Sequence, residues 1–173
     1  NCDDIADVFA FWNSTEELSS YLVEITEICL RTKDPEDGSD LVEKIMDKAG
    51  QKGTGLWTVV GALQLGASVP TIYASLNARV MSSMKSQREK AESILGSKSL
   101  TDFNLGSISN GMEPIMDAVI LSTIASYAQG MDILMLASRE YNYNLHMPSI
   151  AQIWKGGCII RSTLLTRIQD AFN

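Results

Sequence analysis

Cysteine and histidine are scarce in this sequence, and their scarcity restricts its chemistry. The three cysteines, Cys2, Cys29 and Cys158, are odd in number and far apart, which suits neither a disulfide framework nor a zinc site with closely spaced ligands. The single histidine, His146, has no second histidine with which to share a metal ion. We therefore expect it to have a surface or capping role, and we expect no metal. The unpaired cysteines favour a reducing compartment, and we expect a cytoplasmic protein.

The sequence also lacks an excess of positive charge and an uninterrupted apolar run. Its 14 basic and 21 acidic residues give a net charge of −7, which argues against a nucleic-acid-binding surface. Asp117, Gln129 and Asp132 interrupt the longest apolar candidate, so we expect no segment to reach the roughly 18 residues of a membrane span. Asp3 and Asp4 stand where a signal peptide would be basic. We expect a soluble protein that binds neither nucleic acid nor membrane.

Strand-like alternation of polar and apolar residues is missing over any long stretch, and we find no internal repeat beyond two long helical segments. Apolar residues instead recur at helical spacing. With 173 residues, of which 45% are hydrophobic, the chain is long enough for one domain with a substantial core. We therefore expect an all-α fold over residues 1–173, a multihelical domain with two long antiparallel helices at its centre.

Caps and breakers predict where the first helices begin and end. The first helix is expected to end at Asn13. Ser14, followed three residues later by Glu17, matches a capping box and predicts that the second helix begins there. A third helix is expected over residues 41–49, and Gly50 ends it.

The two long helices each begin with a proline in the first turn. Pro70 opens a helix expected to run to about Leu95. Pro114 opens another, expected to reach Leu136, that is apolar on most sides. Such a helix belongs at the centre of a bundle or at a large subunit interface. The polar stretch 97–111 between them is expected to be a flexible loop.

Three glycines, Gly50, Gly53 and Gly55, fall within six positions ahead of an apolar helical run. Glycine reaches backbone conformations that other residues avoid, and it leaves amide groups open to close approach. Thr54 and Gly55 are expected at a helix N-terminus, where unpaired N–H groups and the helix dipole favour an anion. Because Lys52 adds an ammonium group and Thr54 a hydroxyl, the stretch offers the donors that phosphate oxygens accept.

Two well-known phosphate-binding motifs do not fit this loop. Walker A places lysine and then serine or threonine after its last glycine, whereas Lys52 precedes Gly53. A dinucleotide fingerprint needs a glycine where Thr58 stands and a strand upstream, where we expect a helix. The alternative that stays open is an ordinary helix-to-helix turn with a solvated lysine.

Arg79 is unusual in its position on the predicted helix that begins at Pro70. On a helical wheel it falls beside Ile72, on the apolar sector rather than opposite it. An arginine aimed inward either extends its stem along apolar surface to reach water or pairs with a buried anion, because an unpaired buried charge is too costly. The residues alone leave both interpretations open.

Four stretches occur in the same order and at similar separations as in a known enzyme family. They are 49–55 (AGQKGTG), 78–79 (AR), 126–130 (SYAQG) and 156–162 (GGCIIRS). In these motifs the chain resembles the decarboxylating 6-phosphogluconate dehydrogenase family over essentially its whole length, although it corresponds only to the central part of that family's polypeptide. Because the sequence opens without methionine and stops at Asn173 just after an amphipathic helix, we expect a piece of a longer protein.

The resemblance implies a fold, an activity and a site. In that family an N-terminal Rossmann domain binds NADP, and a large helical domain completes the substrate site and forms a homodimer. The reaction oxidises 6-phosphogluconate at C3 and then decarboxylates the keto acid to ribulose 5-phosphate, in the oxidative pentose phosphate pathway. Carried over residue by residue, the resemblance makes Lys52, Thr54 and Arg79 contacts to the substrate phosphate. The family's catalytic base and acid, its cofactor domain and its C-terminal tail lie outside this chain, so we expect no catalytic residue within it and no turnover by it alone.

The chain departs from the family's pattern at two positions near the loop. Leu56 stands where lysine is common, and Asn77 stands where an aromatic residue is frequent. A rival hypothesis is a helical dimerisation or scaffold module that binds no ligand by itself. A second rival, a related beta-hydroxyacid dehydrogenase, is disfavoured because the acids of those enzymes carry no phosphate for Lys52 and Arg79 to bind.

Overall fold

The structure is a computed structural model that describes residues 1–96 and 112–173, and the predicted loop 97–111 lies outside the described residues. Within those two ranges the regular secondary structure is helical, which confirms the all-α fold. The helices are α1 (Cys2–Asn13), α2 (Tyr21–Arg31), α3 (Leu41–Lys44), α4 (Thr54–Gln64), α5 (Pro70–Ser83), α6 (Lys85–Leu95), α7 (Met112–Glu140), α8 (Met147–Trp154) and α9 (Leu164–Ala171).

The chain divides into two compact units. The first comprises Asn1–Met46 and Tyr141–Asn173, and the second comprises Asp47–Glu140. In the first unit α1 packs against α2, and α8 packs against α9. Its buried side chains are mainly apolar and include Trp12 and Leu165. The expectation of a single domain over residues 1–173 stays a prediction.

The predicted capping box at Ser14 is wrong. Ser14 ends α1 instead, since its hydroxyl donates to the carbonyl of Phe11 over 2.6 Å. Residues 15–19 form a turn, and α2 begins only at Tyr21. The N-cap is Ser20, whose hydroxyl accepts from the amide of Val23 over 3.4 Å. The sequence pattern did not distinguish a serine that caps the following helix from one whose side chain terminates the preceding helix.

The predicted third helix is also shorter than expected, because α3 ends at Lys44. The Lys44 ammonium group donates to Asp34 over 2.6 Å and to Asp37 over 2.7 Å. Ile45, which follows, has an extended backbone, with φ −77° and ψ 133°. The segment that leads to the glycine loop is therefore non-helical, and its position depends on contacts with other elements.

The acidic turn around Asp37 gives a prediction about proton binding. Hydrogen bonds from the Lys44 ammonium group, and then from the hydroxyl and amide of Ser39, lower the pKa of the Asp37 carboxyl from 3.8 to about 2. A carboxyl whose pKa is lowered by folding stabilises the native state above its unfolded pKa, and that contribution is lost as the pH falls through about 2. We expect Lys44→Met to raise the pKa of Asp37 towards its ordinary value, as measured by carboxyl NMR titration.

A matched control for this titration is Arg167→Met. Arg167 is ion-paired to Glu16 over 3.1 Å and to Glu17 over 3.6 Å in the same unit, and neither partner belongs to the acidic turn. We expect this variant to leave the pKa of Asp37 unchanged. If the pKa of Asp37 stays near 2 in Lys44→Met, the hydrogen bond from Lys44 is not the main cause of the lowered pKa.

The second unit is held together where α5 begins. Ala62, Ala67 and Val69 are buried there, and side chains of α5 and α7 pack against them. Gln129 of α7 accepts from the amides of Thr71 and Ile72 over 3.1 and 3.2 Å, and it donates to the Thr71 hydroxyl over 2.9 Å. Val69, at the N-cap position of α5, provides no side-chain cap. The side-chain oxygen of Gln129 therefore accepts from backbone N–H groups that the start of the helix leaves without partners.

The predicted helix from Pro70 to about Leu95 is two helices, α5 and α6, separated at Met84. Met84 has φ −90° and ψ 44°, outside the helical region. Ser83 donates its hydroxyl to the carbonyl of Val80 over 2.7 Å, and such local bonds compete with helical hydrogen bonding. No glycine or proline marks the break, so helical spacing alone did not predict it.

The longest helix, α7, has 29 residues, and four of its large apolar side chains are exposed: Met112, Ile115, Leu121 and Ile124. Among its residues only Met131 is buried, whereas Leu121 is 68% exposed. By length and composition α7 could cross a membrane, so the expectation that no segment would reach that length is wrong. The charged residues Asp117 and Asp132 of this helix do not prevent it from having the length and mean hydropathy of a membrane span.

Candidate functional site

The glycine loop of the second unit ends in a helix N-terminus, as the sequence predicted. Gly53 is the N-cap of α4, with φ +97°. The first amide to close a helical hydrogen bond is that of Trp57, which donates to the carbonyl of Gly53 over 3.0 Å. The amides of the first turn, at Thr54, Gly55 and Leu56, come before that bond and are free to meet an acceptor from outside the helix.

Two of the glycines lie where an added side chain would be crowded. A Cβ atom at Gly53 would lie 3.2 Å from the ring of Trp57, and its positive φ disfavours other residues. A Cβ atom at Gly55 would lie 3.2 Å from a methyl group of Leu76. The absence of side chains therefore lets the loop fold over Trp57 and lets the start of α4 approach α5.

Arg79 connects α5 to this loop. Its Nε donates to the carbonyl of Gly50 over 2.7 Å, and its side chain is exposed. Of the two interpretations of Arg79, the structure agrees with the one in which the side chain extends to water, and the loop provides a carbonyl partner for it at the surface of the unit. Within residues 1–96 and 112–173, no further hydrogen bond or ion pair engages the two Nη groups. Arg79 thus fixes the start of the loop with one N–H and keeps the rest of its guanidinium for a ligand.

The three residues that the resemblance singled out lie together. Lys52, Thr54 and Arg79 line one concavity of about 330 Å³. The remaining lining residues are Gln51, Gly53, Gly55, Ile72, Ser75 and Leu76. Neither the Lys52 ammonium group nor the Thr54 hydroxyl has a hydrogen-bond partner in the described part of the chain. Our sequence reasoning missed Gln51 and Ser75, although Ser75 lies one helical turn before Arg79 and the spacing could have indicated it.

The chemistry of this concavity is that of a donor-rich pocket. Its polar groups are backbone amides, the hydroxyls of Thr54 and Ser75, the carboxamide of Gln51, an ammonium and a guanidinium, and no carboxylate, histidine or cysteine is among its lining residues. Such a set suits an anion with several acceptor oxygens. The pocket can therefore bind and orient an anion.

One cluster of potential metal ligands lies in the first unit. A ligand atom from each of Cys2, Asp40 and Glu43 lies within 4.8 Å of the others. Burial, and then a hydrogen bond to Asp40, raise the pKa of the Cys2 thiol, whereas a metal needs the thiolate. The ammonium group of Lys33 also pairs with Asp40. These contacts favour a protonated thiol and an ion pair in this cluster.

His146 and the motif at residues 156–162 also lie in the first unit. His146 is exposed at the N-cap position of α8, and its Nδ1 lies 2.8 Å from the Ser149 hydroxyl, in agreement with a surface role. Arg161 of the motif lies over the ring of Tyr21, with 3.7 Å between the guanidinium carbon and the ring centroid. This arrangement is a cation–π contact that joins the motif to α2.

Comparisons with known proteins agree with one another. A family model described as "6-phosphogluconate dehydrogenase, C-terminal domain" matches residues 1–173. The chain is 48% identical over 170 residues to "6-phosphogluconate dehydrogenase, decarboxylating" of Synechocystis sp., a match that covers 98% of the chain and 35% of the relative. It is 43% identical over 173 residues to "6-phosphogluconate dehydrogenase, NADP(+)-dependent, decarboxylating" of Bacillus subtilis, covering 100% of the chain and 36% of the relative.

A solved structure is similar to the chain in three dimensions. It is the 6-phosphogluconate dehydrogenase of Plasmodium falciparum, with a TM-score of 0.86 and 38% sequence identity, and the match covers 99% of this chain and 36% of that one. That protein was solved in its apo form, with its cofactor NADP+ and with its substrate 6-phosphogluconate. The chain spans about a third of the length of these relatives.

Proposed function

Since this chain belongs to the 6-phosphogluconate dehydrogenase family and matches its C-terminal domain along residues 1–173, we propose that it is the substrate-binding and dimer-forming part of such an enzyme. The complete enzyme would convert 6-phosphogluconate and NADP to ribulose 5-phosphate, carbon dioxide and NADPH, in the oxidative pentose phosphate pathway. The observation that carries the proposal is that Lys52, Thr54 and Arg79 line one concavity. Their role is to bind the substrate phosphate.

The donor set of this concavity fits a phosphate well. Arg79 offers a planar pair of Nη groups, and Lys52 offers a mobile point charge, so the two cations act in complementary ways. The hydroxyl of Thr54 and the open amides at the start of α4 add neutral donors. Each hydrogen bond between a charged group and the phosphate contributes about 1.5–3 kcal/mol. Together they can hold one end of the sugar acid firmly.

Holding the phosphate assists a reaction that takes place elsewhere on the substrate. Binding energy from the non-reacting end fixes the position of C3 relative to the hydride acceptor. Because the lining residues include no acid–base pair, proton transfer must come from outside the concavity. We propose that NADP and the catalytic base and acid are held by a part of the enzyme outside this chain, and that a partner subunit completes the site.

The protein is proposed to be a cytoplasmic homodimer that binds neither nucleic acid nor membrane. The cysteines of the chain are free thiols, which fits a reducing compartment. The apolar surface of α7 favours a subunit interface. The same surface favours the rival function, a helical dimerisation module without a ligand. The two proposals differ in whether the concavity beside Arg79 binds phosphate.

Substrate discrimination tests the proposed function. We expect the complete enzyme that contains this chain to use 6-phosphogluconate with a kcat/KM at least about 10³-fold above that for gluconate, because gluconate lacks the group that the concavity binds. Steady-state NADPH formation measures both values. Similar kcat/KM values for the two acids would contradict the phosphate site.

The isolated chain provides the control for where the chemistry takes place. Residues 1–173 alone are expected to show no reduction of NADP with 6-phosphogluconate above background. Turnover by the isolated chain would show that it contains catalytic groups that the concavity does not provide. Binding of inorganic phosphate to the isolated chain, measured by calorimetry, would distinguish the substrate-binding proposal from the scaffold proposal.

A further inference from the structure

A second set of contacts holds the segment that leads into the glycine loop. Arg88 of α6 donates from Nη1 to the Asp47 carboxylate over 2.8 Å and from Nη2 to the Asp47 carbonyl over 2.7 Å. Its Nη2 also donates to the carbonyl of Ser82 over 3.2 Å. The Ser82 hydroxyl in turn accepts from the amide of Ala49 over 3.0 Å. All of these groups belong to the second unit.

These contacts exist because α5 and α6 are separate helices. The end of α5 leaves carbonyl groups without helical partners, and Arg88 donates to the one at Ser82. If the helix had continued through Met84, the carbonyl of Ser82 would instead accept from an amide further along the same helix. The break thus creates a position from which one arginine holds both the end of α5 and the segment around Asp47.

Arg88 is well suited to this task. Its side chain is only 33% exposed, and its guanidinium makes three hydrogen bonds to two residues. The hydrogen bond from Arg88 lowers the pKa of the Asp47 carboxyl, so Asp47 is ionised at neutral pH. A lysine has one ammonium group and cannot reproduce this planar arrangement of donors.

The hydrogen bonds that Arg88 and Ser82 make to residues 47–49 lie close to the proposed phosphate site along the chain. Lys52 is three residues after Ala49, so a fully extended backbone would span at most about 10 Å between them. The loop is therefore anchored at two points, at Ala49 by Ser82 and at Gly50 by Arg79. The residues that provide these anchors, Ser82 and Arg79, lie on the same helix, α5.

From this geometry we infer that Arg88, Ser82 and Asp47 are positioning residues, which fix the glycine loop so that Lys52 and Thr54 face Arg79. This inference rests on the proposed function of the concavity as a phosphate site. None of the three residues lines the concavity, so their effect is exerted through the loop. Their loss leaves the phosphate donors in the protein but lets them move apart.

Steady-state kinetics of the complete enzyme tests the inference. We expect Arg88→Met to raise the KM for 6-phosphogluconate about 10-fold, because ordering the loop then consumes part of the binding energy. The KM for NADP should stay unchanged, because NADP is proposed to bind outside this chain. Ser82→Ala, which removes one anchor, should have a smaller effect in the same direction. Arg88→Lys should lie between Arg88→Met and the unchanged enzyme.

The matched control is Lys90→Met, on the same helix. Lys90 is exposed, and its ammonium group has no ion-pair partner in the part of the chain that the structure describes. Its loss should leave both KM values unchanged. Hydrogen exchange provides a second readout, because the amides of residues 50–55 should exchange faster in Arg88→Met and Ser82→Ala but not in Lys90→Met.

Lys52→Met separates this inference from the proposed function. If Lys52→Met raises the KM for 6-phosphogluconate but Arg88→Met and Ser82→Ala do not, the positioning role is overturned and the phosphate site stands. If none of the three variants changes this KM, the phosphate site itself is contradicted, and the positioning role with it. If Arg88→Met does not fold, the inference is tested with Ser82→Ala and Arg88→Lys, by their KM for 6-phosphogluconate and by the exchange rates of the loop amides. If Arg88→Met raises the KM for NADP as much as the KM for 6-phosphogluconate, Arg88 has a general structural role, and the inference is also overturned.

Discussion

Replacing both Lys52 and Arg79 by methionine is expected to lower the kcat/KM for 6-phosphogluconate about 10²- to 10⁴-fold in the complete enzyme. The estimate takes about 1.5–3 kcal/mol for each charged hydrogen bond, and 1.4 kcal/mol for each factor of ten. The structure supports pairing the two positions, because both side chains line the same concavity. Steady-state NADPH formation over a range of substrate concentrations measures the loss.

The single variants Lys52→Met and Arg79→Met should differ in which contacts they remove. Lys52 has no partner among the described residues, so Lys52→Met removes a ligand donor and disturbs little else. Arg79 also donates to the carbonyl of Gly50, so Arg79→Met removes a donor and an anchor of the loop together. We therefore expect Arg79→Met to be the more damaging change, and Arg79→Lys to recover only part of the loss because lysine lacks the planar fork.

The neighbouring lysine provides a matched control. Lys48 is exposed, is four residues before Lys52, and does not line the concavity. Lys48→Met should leave kcat/KM almost unchanged, since it removes the same charge from a position without a ligand contact. Gluconate provides the second control, because the weak turnover of this substrate should not depend on Lys52. A parallel loss with both acids would mean that Lys52 acts on something other than the phosphate.

The parts of this site that the sequence predicted are those encoded by local chemistry. Three glycines, a lysine and a threonine in six positions specify a tight loop and a helix N-terminus, and the structure has both, with Gly53 in a left-handed conformation. The phosphate-binding role of Lys52, Thr54 and Arg79 stays a prediction that the kinetics above would test. The resemblance to a known family was confirmed by the match over residues 1–173.

The parts that the sequence did not predict depend on contacts between distant residues. The break at Met84 carries no glycine or proline, and it is stabilised in part by Arg88, which reaches back to Ser82 and Asp47. The wheel left two interpretations of Arg79 open because it contained no information about the Gly50 carbonyl, 29 residues earlier in the chain. A one-dimensional pattern records which side chains share a helix face, but not which partners that face will meet.

The capping box at Ser14 illustrates the same limit at short range. Serine and threonine side chains can bond to the last carbonyl groups of one helix or cap the start of the next. Here the hydroxyl of Thr15 donates to the carbonyl of Trp12 over 2.8 Å, and Leu18 is buried in the turn that follows. The burial of Leu18 is a tertiary effect, and it helps to place the start of α2 at Tyr21 rather than at Ser14.

The second large effect is expected on α7, where Leu121→Arg should convert the proposed dimer to a monomer. Leu121 and Ile124 are 68% and 44% exposed, and with their spacing of three residues they share one face of the helix. Burying a leucine contributes about 1.5–3 kcal/mol. In a twofold dimer each substitution occurs twice, once in each subunit. An arginine in the interface also adds the cost of burying an unpaired charge. We expect the dimer dissociation constant to rise at least 10²-fold, as measured by analytical ultracentrifugation.

The specific activity of the enzyme should depend on dimer formation, because the partner subunit is proposed to complete the site. Leu121→Arg should therefore lose specific activity on dilution and regain some of it as the enzyme concentration is raised. Ile94→Arg is the matched control, since Ile94 is 71% exposed on the strongly charged helix α6, and it should leave assembly unchanged. A Leu121→Arg protein that stays dimeric on dilution but unfolds at a lower temperature would show that α7 is covered by another part of its own polypeptide. In that case the exposed apolar face would belong to the fold of the complete chain, and the dimer contact would have to lie elsewhere.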